Sequence, residues 1–154
     1  MTVALGKLVP DFSAQATDGP FDLSAHRGHT VVLYFYPRDN TPGCTTEGSD
    51  FAQLHEKFLR AQVRVYGLSR DTLKSHENFR AKMNFPFALI ADPDEAVCEM
   101  FGVMKQKNMY GKKVRGIERS TFVIDPDGKL VREWRGVKVP GHAQEVLAFV
   151  GSSN

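Results

Sequence analysis

Thr30-Val-Val-Leu-Tyr-Phe-Tyr36, followed at once by Pro37-Arg-Asp-Asn-Thr-Pro-Gly-Cys-Thr-Thr-Glu-Gly-Ser-Asp50, is the stretch from which the fold can be read. Its first part is almost continuously apolar and rich in β-branched and aromatic residues, the pattern of a strand buried on both faces. After the loop, Gly48, Phe51, Leu54, His55, Phe58 and Leu59 recur at three- and four-residue spacing, which predicts a helix. Cys44 therefore stands where a central strand hands over to a helix.

The residues around Cys44 suit reactive chemistry. Thr41 is a good N-cap, and Pro42 a good first helical residue because it lacks an amide that would be orphaned there. Gly43 and Cys44 then fall in the first turn, where free amides point outward and the helix dipole is positive. A thiol so placed is expected to ionise more easily than free cysteine, whose pKa is about 8.5, and the thiolate is the nucleophile. Glu47, one turn on, opposes that shift, so the chemistry calls for a further positive charge. The same position also suits a small apolar side chain packing a helix start.

Outward from this stretch, the 154 residues suffice for a single domain, 1–154, with a proper core. With 42% apolar and 25% charged residues the chain is of ordinary globular composition. A net charge of +2, from 20 basic and 18 acidic side chains, predicts neither nucleic-acid binding nor an acidic partner. No leader pattern opens the sequence, and no apolar run approaches the ~20 residues of a membrane span. Cys44 and Cys98 are too few for a disulfide scaffold, so the expected setting is cytoplasmic and reducing.

Upstream, Phe12-Ser-Ala-Gln-Ala-Thr17 and Phe21-Asp-Leu23 flank the turn cluster Asp18-Gly-Pro20, a predicted hairpin. A turn of helix over Ser24–Gly28 precedes the first core strand. Downstream, Val63–Ser69 reads as a strand and Asp71–Met83 as a helix with Leu73, His76, Phe79, Arg80 and Met83 on one stripe. Phe87–Ile90 reads as a short strand. Asp92 and Pro93 then read as cap and first residue of a helix carrying Val97, Cys98 and Phe101. Ser120–Ile124 and Lys129–Trp134 around Asp125-Pro-Asp-Gly128 predict a second hairpin, and Gly141–Phe149 a closing helix. The basic segment Lys105 to Arg115 reads as a solvated loop or edge. This order implies an α/β fold, a central mixed β-sheet with helices on both faces and an N-terminal β-hairpin.

Pro37, Thr41 and Cys44, spaced Pro-x-x-x-Thr-x-x-Cys, resemble the active-site motif of the peroxiredoxins. The longer Phe35–Glu47 segment is similar to their bacterioferritin comigratory protein, or peroxiredoxin Q, branch. Nearly the whole chain follows the likeness, from Pro10-Asp-Phe12 to Gly141-His142, which implies a thioredoxin-like fold. Gly116–Asp125 resembles the family segment that carries an active-site arginine, here Arg119. From the residues alone Arg119 reads as a solvated strand-end side chain. Beside Cys44 it would offset Glu47, hold the thiolate and orient a peroxide oxygen. Thr41 would serve as cap or as hydroxyl donor to the peroxide, and Pro37 would shield the thiolate and fix the loop. Members of this branch carry a resolving cysteine at positions that match Ser49 or Arg80 here, so both lack the thiol. Cys98, on an apolar helical stripe, reads as an inert buried cysteine, and as a resolving thiol only in the alternative.

The resemblance implies a thiol-dependent peroxidase for hydrogen peroxide and organic hydroperoxides. The expected cycle is one-cysteine, through a Cys44 sulfenic acid reset by thioredoxin, glutaredoxin or a small thiol. The alternatives are a Cys44–Cys98 disulfide cycle and a non-enzymatic, redox-sensitive thioredoxin-fold holdase or sensor. No organic cofactor and no metal is called for, because phosphate loops are absent and His26, His29, His55, His76 and His142 make no ligand pair with a cysteine. If one helix ran from Cys44 to His55 the two would lie roughly 16 Å apart, too far for a dyad. His142 reads as structural. The expected state is a monomer or weak dimer.

Overall fold

The computed structural model describes residues 2–152. A hairpin, β1 (Ser13–Ala16) and β2 (Gly19–Asp22), opens the chain, and one 3-10 turn at Leu23–His26 leads into β3 (Thr30–Phe35). Beyond the Cys44 loop the expected single helix is two: α1 (Pro42–Gln53) and α2 (His55–Arg60), broken at Leu54. The apolar period runs through the break, because Phe51 and Phe58 bury against the same core from either side of it.

Then come β4 (Val63–Ser69), α3 (Leu73–Met83), β5 (Leu89–Ala91) and α4 (Ala96–Met100). Thr72 caps α3 by accepting from the Ser75 amide at 3.2 Å, and Asn84 closes it in the left-handed conformation. At α4 the N-cap position is Glu95, not the expected Asp92. Asp92 accepts from the amides of Val97 (3.1 Å) and Cys98 (2.7 Å), but Pro93 and Asp94 form a turn ahead of the helix.

Of the solvated loop or edge expected for the basic segment, the structure has the second, a two-stranded ribbon of β6 (Met104–Met109) and β7 (Lys112–Ile117). Its polar residues alternate with no apolar face, so periodicity hides it; at its base Val103 and Ile117 enter the core and Met104 packs against it. β8 (Ser120–Ile124), β9 (Leu130–Arg135) and α5 (His142–Ser152) complete the chain.

The main sheet runs β2-β1-β5-β4-β3-β8-β9, with β3, β4 and β5 parallel and the other pairings antiparallel. Alternation along β3 divides the interior. Val31, Leu33 and Phe35 face one core, with Phe12, Phe21, Cys98, Phe101 and Ile117. Val32, Tyr34 and Tyr36 face the other, with Cys44, Phe51, Phe58, Phe79 and Val146. Each fully buried large apolar side chain contributes about 1.5–3 kcal/mol relative to exposure. The antiparallel register pairs Phe35 with Ser120, which brings the start of β8 to the carboxyl end of β3.

Candidate active site

Cys44 lies in the first turn of α1, two residues after Pro42, and is 2% exposed. Because Phe35 pairs with Ser120, Arg119 arrives at the same end of the sheet, 75 positions away in sequence. One guanidinium nitrogen, Nη2, donates to Cys44 Sγ at 3.5 Å and the other, Nη1, to Glu47 Oε1 at 2.6 Å. Gly43 makes room for this: a Cβ there would lie 3.1 Å from Arg119 Nη2.

Burial acts against both charges of the ion pair. It pushes the Glu47 carboxyl up to about 7, with Arg119 opposing and Asp50 adding to the rise. Burial lowers Arg119, but Glu47 and Cys44 beside it hold it above its ordinary value. Glu47 Oε2 is buried without a hydrogen-bond partner among the described residues. The guanidinium is thus the positive group that Glu47 made necessary, shared between a carboxyl and the sulfur.

Thr41 precedes α1 with extended backbone angles, but its side chain makes no cap bond. Its hydroxyl instead donates to the Arg38 carbonyl at 2.8 Å, and its own carbonyl accepts from the Thr45 amide. With the hydroxyl proton so used, the oxygen's remaining capacity is as an acceptor. Thr41 thus occupies the expected N-cap position of α1 without the side-chain cap bond. Pro37 is half-buried just past the end of β3.

Cys98 is not brought to the site. It is fully buried in the core on the opposite face of the sheet. Burial pushes its thiol far up, and the Asp92 carboxylate beside it adds to the rise. The replaced resolving positions are ordinary: Ser49 sits half-buried on α1, and Arg80 Nε donates to the Phe87 carbonyl at 2.9 Å. His55 packs against Phe87 at the start of α2, so the single-helix distance to Cys44 does not apply, and its buried Nδ1 has no hydrogen-bond partner among the described residues. His142 bonds the Thr121 hydroxyl at 2.8 Å and is lowered to about 4, by burial and by Arg119 against Glu145. It is a neutral packing residue at the head of α5.

A polar cluster behind the loop was not foreseen from sequence. Asp39, 6% exposed, lies 2.7 Å through Oδ2 from His76 Nδ1 and accepts from the Tyr36 hydroxyl (2.6 Å) and the Ser75 hydroxyl (2.8 Å). The signal was His76 itself, which sits on the apolar stripe of α3; a buried imidazole requires partners. Asp39, Asp71 and His76 bring ligand-type atoms within 4.8 Å of one another, but these atoms are engaged in the cluster's own hydrogen bonds.

Residues 5–133 match the AhpC/TSA family. The chain is 59% identical to Peroxiredoxin Bcp of Xanthomonas campestris pv. campestris over 126 residues, 82% of this chain and 79% of that one. It is 45% identical to Peroxiredoxin Bcp of Bacillus subtilis over 148 residues, 96% of this chain and 94% of the other. Among solved structures, the Xanthomonas campestris bacterioferritin comigratory protein, studied for its alkyl peroxide reduction activity, superposes with a TM-score of 0.88 at 52% identity, covering 92% of this chain and 91% of that chain.

Proposed function

The chain belongs to the AhpC/TSA family and is a thiol-dependent peroxidase of the Bcp, or peroxiredoxin Q, kind with a thioredoxin-like fold; from that premise we propose that Cys44 is its nucleophile and that an external thiol resets it. The observation that carries the assignment is the Arg119 guanidinium spanning Glu47 and Cys44 Sγ in the first turn of α1.

The Cys44 thiolate attacks the terminal oxygen of a hydroperoxide. A sulfur–oxygen bond forms as the oxygen–oxygen bond breaks, the departing oxygen takes a proton as water or alcohol, and Cys44 becomes a sulfenic acid. Arg119 stabilises negative charge on sulfur and on the departing oxygen, Thr41 accepts the hydroperoxide proton bond, and Pro37 stiffens the loop that shields the sulfur. Hydrogen peroxide and organic hydroperoxides are the substrates, in keeping with the alkyl peroxide activity of the Xanthomonas relative.

A thiol from thioredoxin, glutaredoxin or a small molecule then attacks the sulfenic sulfur and releases water, and a second thiol frees the mixed disulfide. An internal disulfide needs Cα atoms within about 7 Å. Support for external reset comes from the placement of Cys44 and Cys98 in cores on opposite faces of the sheet, and from the raised Cys98 thiol. Two free thiols fit a reducing, cytoplasmic setting, with the enzyme acting as a monomer or weak dimer.

Steady-state peroxide consumption with dithiothreitol tests this reading. Wild type and Cys98→Ser should turn over within about twofold of each other, since Cys98 takes no part, and Cys44→Ser not at all. Consumption by Cys44→Ser would refute the nucleophile. Loss of turnover in Cys98→Ser, with Cys44 still oxidised by one equivalent, would refute external reset.

A further inference from the structure

The cluster around Asp39 is costly by construction. His76 is fully buried, and its Nε2 lies 2.9 Å from the Ile90 carbonyl, which can only accept. Nδ1 faces Asp39 Oδ2, which already accepts from Ser75, while Oδ1 accepts from Tyr36. Both ring nitrogens therefore face oxygen acceptors, with the Tyr36 hydroxyl a further 3.4 Å from Nδ1, so imidazole and carboxyl form a buried, mutually hydrogen-bonded pair. Desolvating such a pair is expensive, and apolar side chains could fill the space at less cost, so a buried pair is best explained by the one arrangement it specifies.

That arrangement is the loop between β3 and α1. Asn40 within it has φ 64, a left-handed conformation that asparagine tolerates and that hydrogen bonds of the neighbouring backbone help to hold. The help is concentrated on the Arg38–Asp39 peptide unit. Its N–H, the Asp39 amide, donates to Asp71 Oδ2 at 3.0 Å, and its carbonyl, that of Arg38, accepts the Thr41 hydroxyl at 2.8 Å. A planar peptide carries the direction of one group into the other. Asp71 also accepts from the Ser69 hydroxyl, at the end of β4, and His76 is anchored on β5 through Ile90. The loop is thereby referenced to the sheet and to α3, not to α1 alone.

We propose that His76 and Asp39, with Asp71, are positioning residues of the peroxidase reaction, holding the Arg38–Asp39 peptide so that its carbonyl orients the Thr41 hydroxyl towards the peroxide. None of the three touches the reacting atoms. The inference rests on the reading that Thr41 acts on the hydroperoxide, and the test separates the two.

Two rates are measured on reduced enzyme: oxidation of Cys44 by hydrogen peroxide in a single turnover, and alkylation of Cys44 by iodoacetamide, which has no hydroperoxide proton for Thr41 to receive. Thr41→Val should slow oxidation by at least about tenfold and leave alkylation within about twofold, as expected when an orienting contact is lost. If it does not, the reading of Thr41 fails. His76→Gln, Asp39→Asn and Asp71→Asn should show the same selective loss. Added to Thr41→Val, each should cost less than about a further twofold, because residues acting through one group are not additive. Equal losses in both rates, or losses that multiply with Thr41→Val, would overturn the positioning role while leaving Thr41 in place. Should His76→Gln not fold, the two near-isosteric amide variants carry the test unchanged.

Discussion

Arg119 serves two partners with two nitrogens, and that division decides what its replacements do. A lysine carries the charge but not the planar fork that reaches Glu47 and Cys44 together. Arg119→Ala is expected to slow Cys44 oxidation by about a hundredfold or more, the usual cost of removing one preorganised donor, with Arg119→Lys recovering little of it; stopped-flow oxidation by hydrogen peroxide reads both. Glu47 gives a pH signature. Its folded value of about 7 lies above the ordinary 4.5, so across that window the folded protein keeps a proton the unfolded chain has released. Its contribution to stability is fully present below pH 4.5, declines as pH rises to about 7 and is then lost. The decline amounts to roughly 1 kcal/mol per pH unit. Urea midpoints of wild type should fall relative to Glu47→Gln over this window, and parallel curves would mean that burial of Glu47 is not the cause.

At the scale of elements, close approach and capping are the sensitive points. A Cβ on Gly48 would press into the buried Phe85 ring, so ring or helix must shift if that glycine is replaced. Gly48→Ala should cost about 1–3 kcal/mol in urea unfolding through overpacking, and a neutral result would show that Phe85 yields freely. Asp92→Ala should cost about 1–2 kcal/mol, since two amides of α4 lose their acceptor. Pro93→Ala should cost much less, as Pro93 lies in the turn before the helix. Strands β3, β4 and β8 were legible as apolar runs, and α3 as a stripe, while its Thr72 cap was not read. The break at Leu54 was hidden because Phe51 and Phe58 keep the helical period across it. The β6–β7 ribbon was hidden because its pairing leaves no apolar face. Asp92 does bond the first amides of α4, but across a turn and with Glu95 at the N-cap, and spacing alone cannot tell a reach from an adjacent start.

For the molecule as a whole, the alternation of strands and helices implied a mixed sheet, and the sheet has that form. The register that sets Arg119 beside Cys44 was not readable from spacing, because pairing between remote strands is decided by how the entire sheet packs. The site was therefore visible in sequence as two separate pieces, joined by family resemblance and not by local physics. The cluster of Asp39 and His76 lay deeper still: only a buried histidine on α3 hinted at it. What the whole fold adds is the separation of the two cysteines, each in its own core with the sheet between them. Intact mass and peptide mapping after one equivalent of hydrogen peroxide test that consequence most directly. The account predicts a gain of one oxygen held on Cys44 with Cys98 still reduced. Loss of two hydrogens, with a peptide joining Cys44 to Cys98, would contradict it.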